Sequence, residues 1–174
     1  GILMALRAKD EANKVGKSGG QVVDVALYES MFNLLEAVIP EYDGAGVVRQ
    51  PSGTTVTGIV PTNTYKCADD KFIVIGGNGD SIFMRLMKAV GRADMAEDAK
   101  YATNASRVVH EAELDQVLSD WCETQSLEEA MTTLEANRVP CGPVYSAAEM
   151  MADEHFNYRG LFEQVEINGE ALKI

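Results

Sequence analysis

YKCADDKFIVIGGNGDSIFMRLMKAV, residues Tyr65–Val90, changes periodicity partway along. Tyr65–Ala68 and Phe72–Ile75 are short runs of aromatic and β-branched residues flanking the polar turn Asp69–Lys71, a pattern that predicts a β-hairpin. Gly76–Asp80 is a glycine-rich turn, and beyond it Phe83, Met84, Leu86 and Met87 recur at helical spacing as far as Val90. Hairpin, glycine turn and amphipathic helix in succession predict a mixed α/β chain.

Downstream, the pattern predicts one long helix over Arg107–Glu123, with Trp121 as a packing residue. A second helix is expected over Leu127–Asn137, with Ser126 as its N-cap. Val139–Val144 carries Pro140 and Pro143 around Gly142 and reads as extended. A short helix over Ala147–Ala152 follows, and Glu163–Ile174 reads as a strand pair about Asn168–Gly169.

Upstream, Ile2, Leu3, Ala5, Leu6 and Ala8 give Gly1–Asn13 a helical face with no cap, as though the pattern were joined midway. Lys14–Gly20 is a polar loop, and Val22–Val25 reads as a buried strand. Ala26–Ile39 returns to helical spacing until Pro40, expected to stop it. Helix, strand, helix is a slice of a doubly wound sheet. Tyr42–Thr64, rich in Gly, Pro and Thr, has no sustained periodicity and reads as a linker or functional loop.

Composition narrows the function. Acidic residues outnumber basic ones 27 to 15, a net charge of −12 that argues against a nucleic-acid partner. An anionic small molecule is still compatible, because a local site can be basic on an acidic protein. No apolar run approaches the roughly 18 residues of a membrane span, and no secretory signal is visible, so a cytoplasmic protein is expected. Cys67, Cys122 and Cys141 form no CxxC pair and have no ligand spacing with His110 or His155, so no metal site is expected. Cys67 and Cys141 read as small buried residues. His110 opens a helix and is expected in solvent, and His155 follows Asp153 and Glu154 in a polar turn.

Three motifs invite chemistry. Gly16-Lys17-Ser18 suggests a P-loop, but the position that needs the first glycine holds Glu11 and the element order is wrong. Gly76–Ser81 could be an anion-binding nest at a helix start, or a tight turn in which Asp80 caps the helix. Asp24 and Glu29 could form an acid/base pair or be ordinary strand and helix-start residues.

Taken together, three segments resemble the class III CoA-transferases (CaiB/BaiF type), the family of formyl-CoA transferase, carnitine CoA-transferase and α-methylacyl-CoA racemase. They are Gly1–Leu6 with Gly16–Gln21 and Val23–Glu29; Pro61–Cys67 running into Gly76–Asp80; and Val139–Val144 followed by Asp153–Phe156. The resemblance covers nearly the whole chain, although Lys9–Gly20 is longer than the family pattern.

The resemblance implies an α/β fold in which part of a Rossmann-like large domain accompanies a small α+β domain. Residues 1–40 would belong to the large domain, 41–64 to a linker, 65–145 to the small domain and 146–174 to a return segment. It also implies CoA transfer from an acyl-CoA to a small carboxylic acid through an aspartyl intermediate, with no tightly bound cofactor and no metal. The family's nucleophilic aspartate falls upstream of Gly1, so no catalytic residue is expected here and the segment alone should be inactive. Asp80 is not a substitute, being in the small domain. Substrate-lining positions would be Leu27 and Gly58, Ile59 and Val60. The whole parent would be an interlocked homodimer. A racemase-type isomerase and a non-catalytic α/β module are the alternatives.

Overall fold

β1 (Thr62–Lys66) and β2 (Phe72–Gly76) form the expected antiparallel hairpin, beginning earlier than Tyr65 and placing Tyr65 opposite Ile73 and Thr64 opposite Val74. The computed structural model describes every residue except Ser18 and Glu36. The chain separates into two units, Gly1–Pro51 and Ser52–Ile174.

In the second unit, the two prolines and Gly142 hold an extended segment, of which β3 (Cys141–Pro143) pairs antiparallel with the free edge of β2. Strand alternation then divides the sheet. Ile73 and Ile75 are fully buried while Phe72 and Val74 face outward. The buried face meets the apolar sides of α4 (Asp80–Ala89), α7 (Glu111–Cys122) and α8 (Leu127–Ala136), through Phe83, Leu86, Met87, Leu114, Leu118 and Leu134. α8 begins where Ser126 predicted it. The serine hydroxyl accepts from the Glu129 amide while the Glu129 carboxylate accepts from the Ser126 amide, a capping box.

Between α4 and α7 lie α5 (Ala93–Glu97) and α6 (Asn104–Val109). The single helix expected over Arg107–Glu123 is in fact α6 and α7, parted at His110, whose backbone (φ −116°, ψ 21°) is not helical. Thr103 caps α6 reciprocally with Ser106, so the helix starts three residues before Arg107. After β3 come α9 (Ala147–Ala152), α10 (Glu154–Tyr158) and the hairpin of β4 (Gln164–Ile167) and β5 (Glu170–Lys173). Asn168 and Gly169 both have positive φ, as its two-residue turn requires.

The first unit holds α1 (Ile2–Lys14), α2 (Leu27–Phe32), a 3-10 turn over Asn33–Leu35 and α3 (Val38–Ala45). Two expectations fail there. Val22–Val25 forms no strand and is exposed, because a strand needs a neighbouring edge and none of the described residues supplies one. Pro40 does not end a helix; it is the third residue of α3, where the first-turn amides need no intrahelical partner.

Candidate functional site

The loop Ser52–Val60 leads into β1, and its end is gripped by two side chains of α6. Asn104 Oδ1 accepts from the Val60 amide at 3.0 Å, and Asn104 Nδ2 donates to the Gly58 carbonyl at 2.8 Å. Arg107 Nε donates to the Val60 carbonyl at 3.0 Å. Asn104 and Arg107 are one turn apart and so share a helix face. Gly58 has φ +81°, a conformation that favours glycine. Its neighbours differ: the Ile59 side chain is 39% exposed and Val60 is fully enclosed in the core.

The other stem of the loop is tied to α7. Thr54 Oγ1 donates to Asn63 Oδ1 at 2.6 Å, Asn63 Nδ2 donates to Asp115 Oδ2 at 3.1 Å, and the Tyr65 hydroxyl donates to Asp115 Oδ1 at 2.6 Å. Burial, followed by the Asp115 carboxylate, pushes the Tyr65 phenol well above its ordinary range. It is therefore a donor at any physiological pH.

Arg107 joins this loop to the glycine turn. Its guanidinium is fully buried, lies 4.8 Å from the Phe83 ring centroid, and also donates to the carbonyls of Tyr101 and Asn78 and to Asp80 Oδ1. Two of the turn amides are likewise committed: Gly76 donates to the Pro140 carbonyl and Gly77 to that of Pro61. An added Cβ on Gly77 would stand 2.4 Å from Leu86 Cδ2, so this glycine is demanded by packing. Asp80 heads α4 rather than capping it; Gly79 occupies the cap. With the Gly76 and Gly77 amides bonded within the fold and the Asp80 carboxylate at the helix start repelling an anion, Gly76–Ser81 suits a structural junction better than a phosphate cradle.

Leu27, the remaining expected lining residue, opens α2 in the first unit and is 88% exposed. Asp24 and Glu29 are both exposed and share no hydrogen bond among the described contacts, so they do not make an acid/base pair. Gly16 and Lys17 lie in a turn after α1, and Ser18 lies outside the described residues. Burial pushes the Cys122 thiol up to about 12 and raises those of Cys67 and Cys141, which disfavours a thiolate nucleophile. Cys141 is only half-buried, contrary to expectation. His110 is also half-buried rather than solvated, with its ring edge-on to Tyr101 at 5.7 Å. Among the described residues, no group of three or more His, Cys, Asp and Glu could hold a metal ion, and no helix is long and apolar enough to cross a membrane.

A groove of about 410 Å³ is floored by Leu127 and Met131. Its rim carries Asp69, Glu128, Glu135 and Glu149 against Lys71, which is already paired with Glu149 at 3.3 Å. That rim repels a polyphosphate, so the groove does not suit a CoA nucleotide. Sequence reading missed Asn104, Arg107 and Asp115. The partners of Asn104 and Arg107 at Val60 lie 44 and 47 residues upstream, and no local pattern announces such pairs.

The model of CoA-transferase family III matches residues 1–173. Succinyl-CoA–D-citramalate CoA-transferase of Chloroflexus aurantiacus is 36% identical over 156 residues, covering 90% of this chain and 38% of that protein. Succinyl-CoA:mesaconate CoA-transferase of Haloarcula hispanica is 31% identical over 185 residues, covering all of this chain and 44% of its own length. A CAIB/BAIF family protein from Brucella suis superposes with a TM-score of 0.73 at 26% identity, over 93% of this chain and 42% of that one. A Mycobacterium tuberculosis structure shares the fold with a TM-score of 0.74 at 21% identity, over 99% of this chain and 43% of its own. The chain thus spans about two fifths of the relatives' length.

Proposed function

We propose, from the premise that the chain belongs to CoA-transferase family III, that a full-length protein carrying it moves CoA from succinyl-CoA to a short dicarboxylic acid. The observation that carries this reading is the family match over 1–173. The relatives' names, several specifying succinyl-CoA with citramalate, malate or mesaconate, support the donor and acceptor class and favour transfer over racemisation.

The family's aspartate would be contributed by sequence preceding Gly1. Its carboxylate attacks the thioester carbonyl and expels CoA thiolate, leaving a mixed anhydride. Thiolate then attacks the aspartyl carbonyl, releasing succinate and forming an aspartyl thioester, and the acceptor acid reverses both steps. Splitting the exchange this way conserves the thioester energy without hydrolysis.

In this reading Gly58, Ile59 and Leu27 contribute to the substrate surface, while Val60, enclosed in the core, anchors the loop end rather than lining the substrate. Residues 1–40 belong to a large domain, 65–145 to a small one and 146–174 to a return segment. Residues 41–64 connect them. An interlocked homodimer and a cytoplasmic location belong to the same proposal. The test is transfer of labelled CoA thioester to citramalate, malate and mesaconate by the full-length protein. No exchange with any dicarboxylate would overturn the reading, as would turnover by the 174-residue chain alone, which carries no candidate nucleophile in the proposed position.

A further inference from the structure

Three hydrogen bonds from α6 fix the backbone of Gly58–Val60, yet all three leave the Ile59 side chain free. Asn104 holds the Gly58 carbonyl and the Val60 amide, and Arg107 holds the Val60 carbonyl. Within the loop, the Ile59 amide donates to the Val56 carbonyl at 3.0 Å and the Val56 amide to the Thr62 carbonyl at 3.3 Å. These bonds set Val56 and Ile59 one turn apart, and both side chains are substantially exposed. The result is an apolar tip on a backbone fixed from behind.

The bond from Asn104 Nδ2 to Gly58 lies at the surface, where water could satisfy the same carbonyl. Such a bond adds little to folding, because folding only exchanges one partner for another. What it does supply is conformation: glycine at φ +81° has no Cβ to restrict it, and an added Cβ there would meet nothing within 4 Å. With no Cβ contact available there, Gly58 is held by the turn bond from the Ile59 amide to the Val56 carbonyl and by the bond from Asn104 Nδ2.

We propose that Asn104 is a positioning residue that fixes the Gly58 carbonyl and so presents Val56 and Ile59 as a set apolar surface to the acyl portion of the thioester. This role rests on the transferase reading above, in which Gly58 and Ile59 line the substrate. Precise placement matters because a loop that must be ordered at each encounter loses affinity for what it contacts.

Asn104→Asp separates positioning from folding. An acid at the first position of α6 suits the helix dipole, and its carboxylate still accepts from the Val60 amide. It loses the donor to Gly58 and sets a charged oxygen against that carbonyl. Thr103→Ala is the control, since it opens the cap of the same helix and leaves both Asn104 bonds intact.

In the 174-residue chain, Asn104→Asp should leave Tm within about 2 °C. Amide exchange at Val56 and Ile59 should quicken by about fivefold to tenfold. Thr103→Ala should lower Tm without that local change. In the full-length protein, Asn104→Asp should raise KM for acyl-CoA by about fivefold, and that of the acceptor acid, whose acyl group takes the same place in the reverse steps, in parallel, while kcat holds within about twofold. Unchanged loop exchange, or equal acceleration by Thr103→Ala, would overturn the positioning role. Faster exchange with unaltered kinetics would overturn it too, by removing Gly58 and Ile59 from the substrate surface while the transferase activity stood. Absence of turnover in the unsubstituted full-length protein would instead overturn the functional reading itself.

Discussion

Arg107 and Asp80 form an ion pair of unequal partners: Nη2 and Oδ1 are 2.8 Å apart, yet the guanidinium is fully buried and the carboxylate is 63% exposed. The arginine is therefore held chiefly by the carbonyls of Val60, Tyr101 and Asn78, which converge on it from three segments. Removing it strands these acceptors in the core. Arg107→Met should cost about 3 kcal/mol or more, and Arg107→Lys most of that, because an ammonium cannot reproduce the planar fork. Asp80→Asn should cost less than about 1 kcal/mol, since its partner keeps its other bonds and the carboxylate is solvated. Urea unfolding of the three variants checks this ranking; equal losses for Asp80→Asn and Arg107→Met would refute it.

Gly77 and Gly142 should respond oppositely to the same added methyl. At Gly77 the new carbon would meet Leu86 Cδ2 at 2.4 Å and Pro61 Cγ at 3.1 Å, and Leu86 is fully buried with nowhere to retreat. Gly77→Ala should cost about 2 kcal/mol by overpacking. Gly142 has open space within 4 Å, so Gly142→Ala should stay within about 0.5 kcal/mol of the parent. Thermal melts that show equal losses at both sites would contradict the packing account.

Stability should fall on the alkaline side. Cys122 is pushed from its ordinary value near 9 to about 12 by burial, and Tyr65 is raised by burial and then by its bond to Asp115. Both groups become anions, so the unfolded chain releases their protons first. Their contribution is complete below the ordinary thiol value and is lost as pH rises toward the folded-state values. Tyr65→Phe should cost about 1 kcal/mol at neutral pH by unpairing Asp115 Oδ1, yet flatten the decline above about pH 10. The urea midpoint measured from neutral to alkaline pH reads both effects. A variant with the parent's alkaline slope would remove Tyr65 from the explanation.

Local chemistry made some of these elements legible. Asp69–Lys71 and Asn168–Gly169 are polar turns between β-rich runs, and Ser126 with Glu129 is a capping box, so each carries its signal within a few residues. Apolar spacing runs on across the break at His110, so one long helix fits the sequence even though His110 also reads as opening a helix. Val22–Val25 has the composition of a buried strand, but pairing is a property of a neighbour. Arg107 carries no local sign of its burial, because the Val60 and Asn78 carbonyls it bonds come from distant segments. The proposed lining positions Gly58 and Ile59 come from family resemblance, while Asn104, which grips Gly58 and Val60 on either side of Ile59, is found only through the three-dimensional pairing.

The last prediction concerns where stability resides. Every buried apolar residue described lies between Val60 and Val139, and no described residue of 1–51 is buried. Ile2, Leu3, Met4, Val22, Leu27 and Tyr28 are each well over half exposed, so α1 and α2 gain little from burial. Helices of 13 and six residues are marginal in water without packing. The 174-residue chain should therefore show one cooperative transition that belongs to Ser52–Ile174. Deleting 1–51 should move Tm by no more than about 2 °C. Amides of α1 and α2 should exchange at nearly unprotected rates while those of β2 and α7 exchange only with global unfolding. A drop of more than about 5 °C on deletion, or slow exchange in α1, would show that the first unit has a stabilising core of its own or borrows one.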